Sequence, residues 1–238
     1  MIRLLKSELL KLKNSGIFSL LISIPIFILL LSFAREKKGF IDWIDLYVSI
    51  IPFYAQFLFP ILICVIMAIL MKIEHSGNGW RKMLSLPIRR GNFYITKLII
   101  GYILVLINVI LVSCALVLIG KINGITDPIN YEVLFKGPII AYISAFPIIL
   151  IQYLLSVNLT NSLYSIGIGL ILNMPAILAA NSKRFWMYYI WDYPILSFYG
   201  GFNEALQKEF NYPIASLIIF SIIFLVGLVC LKRRDVLN

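Results

Sequence analysis

Long apolar runs alternate with short polar intervals along the whole chain. The runs cover residues 16–33, 47–71, 98–119, 138–157, 163–180 and 213–231. Each is long enough, as a helix, to cross about 30 Å of hydrocarbon. The pattern predicts an all-α membrane protein with six transmembrane helices, forming one membrane domain over residues 1–238. Pro25, Pro52, Pro60 and Pro147 lie inside the runs, and membrane helices tolerate such kinks because neighbouring groups re-satisfy the freed backbone. The first run ends in Ser32-Phe33-Ala34, a small-x-small pattern. It is nevertheless longer than the apolar region of about 7–15 residues found in a cleaved signal peptide, so a retained span is expected.

The polar intervals differ from one another. Residues 1–14 predict an amphipathic interfacial helix. Ile2, Leu5, Leu9 and Leu12 make its apolar stripe, Arg3, Ser7, Glu8 and Lys11 lie opposite, and Lys6 and Lys13 flank it. Residues 35–46 form a short loop, 120–137 a turn-rich one broken at Asp127-Pro128, and 158–162 a tight turn. Residues 181–212 are too polar to span yet rich in aromatics, as is usual at a membrane–water boundary, and 204–210 predicts a short helix.

The interval at 72–97 stands out. A Ser76-Gly77-Asn78-Gly79 turn opens it, Trp80 to Leu86 predicts about two helical turns, and Pro87 closes that piece. Arg89 and Arg90 follow, and Asn92 is placed to cap the next helix. By itself this is either a short amphipathic docking element or an ordinary basic loop obeying the positive-inside rule.

Composition supports the lipid setting: 61% of residues are hydrophobic and 13% charged, against about 45–50% apolar in an average soluble chain. The net charge of +10 is not spread evenly. The N-terminus, the 72–97 interval and the C-terminus hold 13 of the 21 Lys and Arg, with only Glu8, Glu74 and Asp235 as acids. The other three loops hold 8 basic and 8 acidic residues. The whole excess lies on one face, which the positive-inside rule makes cytoplasmic, with both termini there. A lipid bilayer, and no nucleic acid, is the partner this implies.

Several chemistries lack their signatures. No GxxxxGK[ST], GxSxG or HExxH motif occurs. Cys64, Cys114 and Cys230 sit inside apolar runs without metal-ligand spacing, and the single histidine, His75, has no second ligand beside it. No catalytic, cofactor or metal residue is therefore assigned. The spans carry no carboxylate cluster of the kind an ion-coupled carrier needs. Gln56, Asn108, Gln152 and Asn173 are the carboxamides deep in spans, suited either to a transport pathway or to interhelix hydrogen bonds.

Glu74 at the end of the second span, the Gly-rich turn, then Trp80, Arg81, Lys82, Leu84, Pro87, Arg90, Tyr94 and Lys97 together resemble type-2 ABC exporter permeases. The style is that of the lantibiotic-immunity and bacitracin-type subgroup. The six-span layout and the segment before the last span extend the likeness over nearly the whole chain. The resemblance implies that residues 72–97 contain a coupling helix docking a separate ABC ATPase subunit. Glu74, Gly77, Trp80, Arg81, Lys82, Leu84, Pro87, Arg89 and Arg90 would form that interface. It also implies that ATP is bound by the partner, so this chain needs no cofactor. A second permease copy or a different permease subunit would complete the assembly in the bacterial plasma membrane. An amphipathic substrate, foremost an antimicrobial peptide, would be exported. An intramembrane enzyme such as a protease, and a non-transporting membrane scaffold, are the rival readings.

Overall fold

A computed structural model describes residues 8–13, 15–35, 40–75, 90–199 and 211–233. Residues 8–12 form the short α1. It is followed by α2 (Ile17–Arg35), α3 (Trp43–Phe53), a π-turn (Tyr54–Leu58) and α4 (Phe59–His75). Then come α5 (Arg90–Ile122), a second π-turn (Glu132–Lys136), α6 (Gly137–Ser144) and α7 (Phe146–Asn158). The chain continues through α8 (Ser162–Asn173), α9 (Ala176–Asn181), two 3-10 turns, α10 (Tyr193–Tyr199) and α11 (Tyr212–Arg233). No strand occurs among the described residues, so the expected all-α membrane fold is present.

Among the described residues, three helical stretches are long and apolar enough to cross a membrane: Trp43–Glu74, Tyr94–Ile122 and Ser162–Asn181. The pair Glu132–Ser144 and Phe146–Asn158, bent by 48°, makes a fourth if taken as one span. Ile17–Phe33 and Tyr212–Gly227 are shorter apolar helices at the places of the first and last expected spans.

Local chemistry explains the irregularities. Pro60 has no N–H to give the carbonyl of Gln56 one turn earlier, and its ring crowds that carbonyl. The helix widens there into the π-turn, with the Phe59 N–H reaching back to Tyr54. The Gln56 carbonyl then accepts from Asn173 Nδ2 at 3.1 Å. Pro147 likewise sits just after the bend at Ala145. Around that bend Tyr102 donates its hydroxyl to the Phe146 carbonyl at 2.7 Å, and Ser216 donates to the Ser144 carbonyl at 2.9 Å. Each break is thus closed by a side chain from another helix, as backbone within hydrocarbon requires.

Boundaries shift where caps were not legible. α3 begins at Trp43, ahead of the expected Tyr47, because Asp42 accepts from the Asp45 N–H at 2.7 Å while Asp45 accepts from the Ile41 N–H. α5 begins at Arg90, so Asn92 lies inside its first turn instead of capping it, and its carbonyl accepts from Thr96 Oγ1 at 2.7 Å. Asn161 caps α8 through the Leu163 N–H, which ends the tight turn where expected. The helix expected at 204–210 lies outside the described residues.

Two faces turn out differently. In α1, Glu8 and Leu12 are buried while Leu9 and Leu10 are exposed, so Glu8 leaves the polar face assigned to it and Leu9 leaves the apolar one. Part of the aromatic segment also leaves the surface, although Phe185 and Tyr188 stay exposed. α10 packs on α6 inside the bundle, and Phe198 is fully buried, edge-on to Tyr54 and Phe59 with ring centres 5.6 and 5.4 Å away. The Tyr47 hydroxyl donates to the Phe198 carbonyl at 3.1 Å. Elsewhere α2 lies along α5, α4 along α8, and α11 along α7, around one continuous core.

Close approach requires glycine at Gly120, where a Cβ would run into the Trp43 indole, itself held by its Nε1–H to the Asp127 carbonyl at 3.0 Å. At Gly101 a Cβ would meet only the end of the Met67 side chain. Gly120→Ala should therefore cost about 1–3 kcal/mol, by overpacking against a rigid ring. Gly101→Ala should cost less, because a thioether end swings aside. Thermal melting of the two purified variants beside the parent checks the order.

Candidate functional site

Four charged side chains meet where α4 ends and α5 begins, on either side of residues 76–89. Lys97 Nζ lies 2.5 Å from Glu8 Oε2 and 2.9 Å from Glu74 Oε1. Lys11 Nζ lies 2.7 Å from Glu8 Oε1 and 3.1 Å from Glu74 Oε1. The result is a closed ring of alternating sign, in which each carboxylate meets both ammonium groups. Glu8, Glu74 and Lys97 are buried, whereas the Lys11 side chain is 44% exposed.

Sequence and packing together produce the ring. Glu8 and Lys11 are three residues apart and so share one helix face. Lys97, near the start of α5, also points an N–H at the Leu70 carbonyl, 3.4 Å away. Burial opposes the charge on Lys11, but hydrogen bonds to Glu8 and Glu74, with their charges, outweigh it and raise its pKa above the ordinary value. Nearby, Tyr153 donates to the Tyr94 carbonyl at 3.2 Å and their ring centres stand 4.9 Å apart. The Tyr94 hydroxyl is packed against Gly227 of α11, where a Cβ would stand 3.0 Å away.

The four carboxamides all bond across helices. Gln56 Nε2 donates to the Tyr199 hydroxyl at 2.9 Å. Asn108 accepts from Tyr54 at 2.9 Å and donates to the Leu21 carbonyl at 3.0 Å, joining α2, the first π-turn and α5. Gln152 donates to the carbonyl and hydroxyl of Ser165 at 2.9 and 3.1 Å, joining α7 and α8. Asn173 closes the gap at Gln56, and beside it the Tyr189 hydroxyl donates to the Leu172 carbonyl. Gln56 and Asn173 are half-buried, while Asn108 and Gln152 are buried.

Of the residues expected at the docking interface, Glu74 lies in the ring. Gly77, Trp80, Arg81, Lys82, Leu84, Pro87 and Arg89 lie outside the described residues, and Arg90 is described only as the first residue of α5. Sequence reasoning missed Glu8, Lys11 and Lys97 as members of one site. A signal existed: Glu8 and Glu74 are two of the three acids on a face otherwise crowded with Lys and Arg.

A family model described as ABC-2 family transporter protein matches residues 4–176, from the N-terminal segment through α8. No curated protein and no solved structure matches the chain.

The ring makes a graded stability prediction. Lys97→Met leaves two buried carboxylates with one ammonium between them, and breaking such a buried arrangement costs about 3–5 kcal/mol. Lys11→Met removes a half-exposed partner and should cost about 1 kcal/mol or less. Thermal denaturation in detergent, compared with the unmodified protein, reads both.

Proposed function

The chain belongs to the ABC-2 family of transporter proteins, and from that premise we propose that it is the permease of an exporter whose ATPase docks on residues 76–89. Family membership makes it a multi-pass membrane component of an ABC transporter, working with an ABC ATPase subunit. The finer reading concerns direction, substrate and docking. Trp80 and Leu84 anchor in an apolar pocket of the ATPase, as buried aromatic hot spots do. Arg81, Lys82, Arg89 and Arg90 steer and register the contact. ATP is bound by the partner, so this chain contributes no cofactor site of its own. Six spans place both termini and the loop in the cytoplasm of a bacterial cell. A second permease, identical or different, completes the pathway. The substrate is amphipathic, an antimicrobial peptide of the lantibiotic or bacitracin kind, taken from the membrane or its outer surface.

The observation that supports this reading best is the ring at the loop's base. A loop that only bridged two spans would need no fixed geometry where it leaves them. Here its two legs are joined through Glu74 and Lys97 at 2.9 Å, so force applied to the loop reaches α4 and α5 together.

Two experiments test the proposal. With the chain in intact cells, a cysteine placed at Ser182 should react with an impermeant maleimide added outside, and one at Asn78 should not; the opposite pattern overturns the orientation. Trp80→Ala should detach the ATPase while the spans stay inserted. Loss of a buried interface tryptophan costs about 2–4 kcal/mol, roughly thirtyfold to nearly a thousandfold in affinity. Capture of the ATPase at matched membrane levels reads the effect, and undiminished capture would return the loop to a simple basic connector. Cells carrying the detached variant should also lose any protection that the complex gives against lanthionine-containing peptides or bacitracin.

A further inference from the structure

The ring engages three chain segments, and only two of them are legs of the loop. The third is α1, which reaches Lys97 through Glu8 and Glu74 through Lys11. α1 is held by these charges together with Leu12, which is buried in the core, while Leu9 and Leu10 face outward, at 44% and 66% exposed. The arrangement also fixes register. Because Glu8 and Lys11 share one helix face, sliding α1 by one turn would bring Lys11 against Lys97, ammonium on ammonium. Apolar packing alone carries no such penalty, since one leucine substitutes for another. Leu12 and Ile17, both buried, continue the contact into α2, which lies along α5.

We propose that Glu8 and Lys97 are positioning residues that make α1 part of the body moved by the ATPase, so that nucleotide-driven displacement of the loop is carried into α1 and on to α2. This rests on the docking assigned above to residues 76–89. Glu74 and Lys97 bring the displacement up the two legs, and the Glu8–Lys97 and Lys11–Glu74 contacts pass it sideways. Losing the ring would then leave an assembled complex whose loop still follows the ATPase but whose α1 does not.

The test uses the full chain with the ABC ATPase that co-purifies with it, in lipid nanodiscs, with the native cysteines replaced. Spin labels go at Leu10 and Leu163, which are 66% and 73% exposed. Their separation is measured by pulsed electron resonance, without nucleotide and with ATP plus vanadate. The parent should show a nucleotide-dependent shift in separation. Lys97→Met should lose that shift while still retaining the ATPase. The double variant Glu8→Gln with Lys97→Met should lose it too; this variant removes one charge of each sign and keeps the Lys11–Glu74 pair, so it guards against misfolding from an unpaired buried charge. A purely structural ring would lower the melting temperature yet leave the shift intact in assembled complexes. A shift that survives in both variants, or a parent that shows none, overturns this inference alone. A parent chain that captures no ATPase overturns the proposed function and this inference with it.

Discussion

Taking four charged groups out of water is costly, and two opposite charges repay that cost only with good geometry and further bonds. In this protein the condition is met by alternation, with each carboxylate between two ammonium groups and each ammonium between two carboxylates. Losing Lys97, the buried ammonium, would strand a carboxylate charge among apolar side chains, whereas Lys11 is half-exposed and its loss is milder. Everything at that end of the molecule follows from it. α1 turns an acid inward, and the last turn of α4 and the first turns of α5 are held together. An ion-pair ring is a poor choice for stability alone, because well-packed apolar residues of similar volume are often as good or better. Its value here is that it specifies which three segments meet, and in which register.

A second constraint runs through the rest of the bundle. Prolines interrupt helices at membrane depth, and each interruption described here receives a hydrogen bond from a polar side chain on another helix. Asn173 serves the carbonyl freed before Pro60, and Tyr102 and Ser216 serve the two carbonyls beside the bend at Pro147. The irregular points are therefore also the cross-links. Gln56, at the first π-turn, joins that span both to α8 and to Tyr199 at the end of α10. A break in one helix is stable only while its neighbours hold their places, which ties the spans into one cooperative unit.

Much of this was legible in the chain. Apolar run length located each helix, since hydrocarbon thickness demands a minimum length, but α5 and the helical stretch before α7 start well ahead of their apolar runs, at Arg90 and Glu132. Asn158 and Ser162 bounded their turn as expected, since its polar residues can serve the exposed backbone. What was not legible depends on contacts between distant segments. Glu8 looks solvated when only its own helix is considered, because its partners are far along the chain. α10 looks interfacial because it belongs to a segment rich in Tyr and Trp, yet the pocket between Tyr54 and Phe59 takes Phe198 into the core. Asn92 has a capping residue's chemistry, but the helix starts earlier, at Arg90. For Glu8 and Phe198, tertiary packing overrode a local preference.

The order of synthesis gives the ring a further meaning. Glu8 and Lys11 emerge from the ribosome well before Lys97, so no complete ring exists while the first spans are being inserted. Once α5 has been made, Glu8 and Glu74 neutralise Lys11 and Lys97, and the whole surplus of +10 rests on residues outside the ring. Closure thus joins the N-terminal segment to the ends of two helices made much later in the chain. Before it, Glu8 has only its near neighbour Lys11 for company.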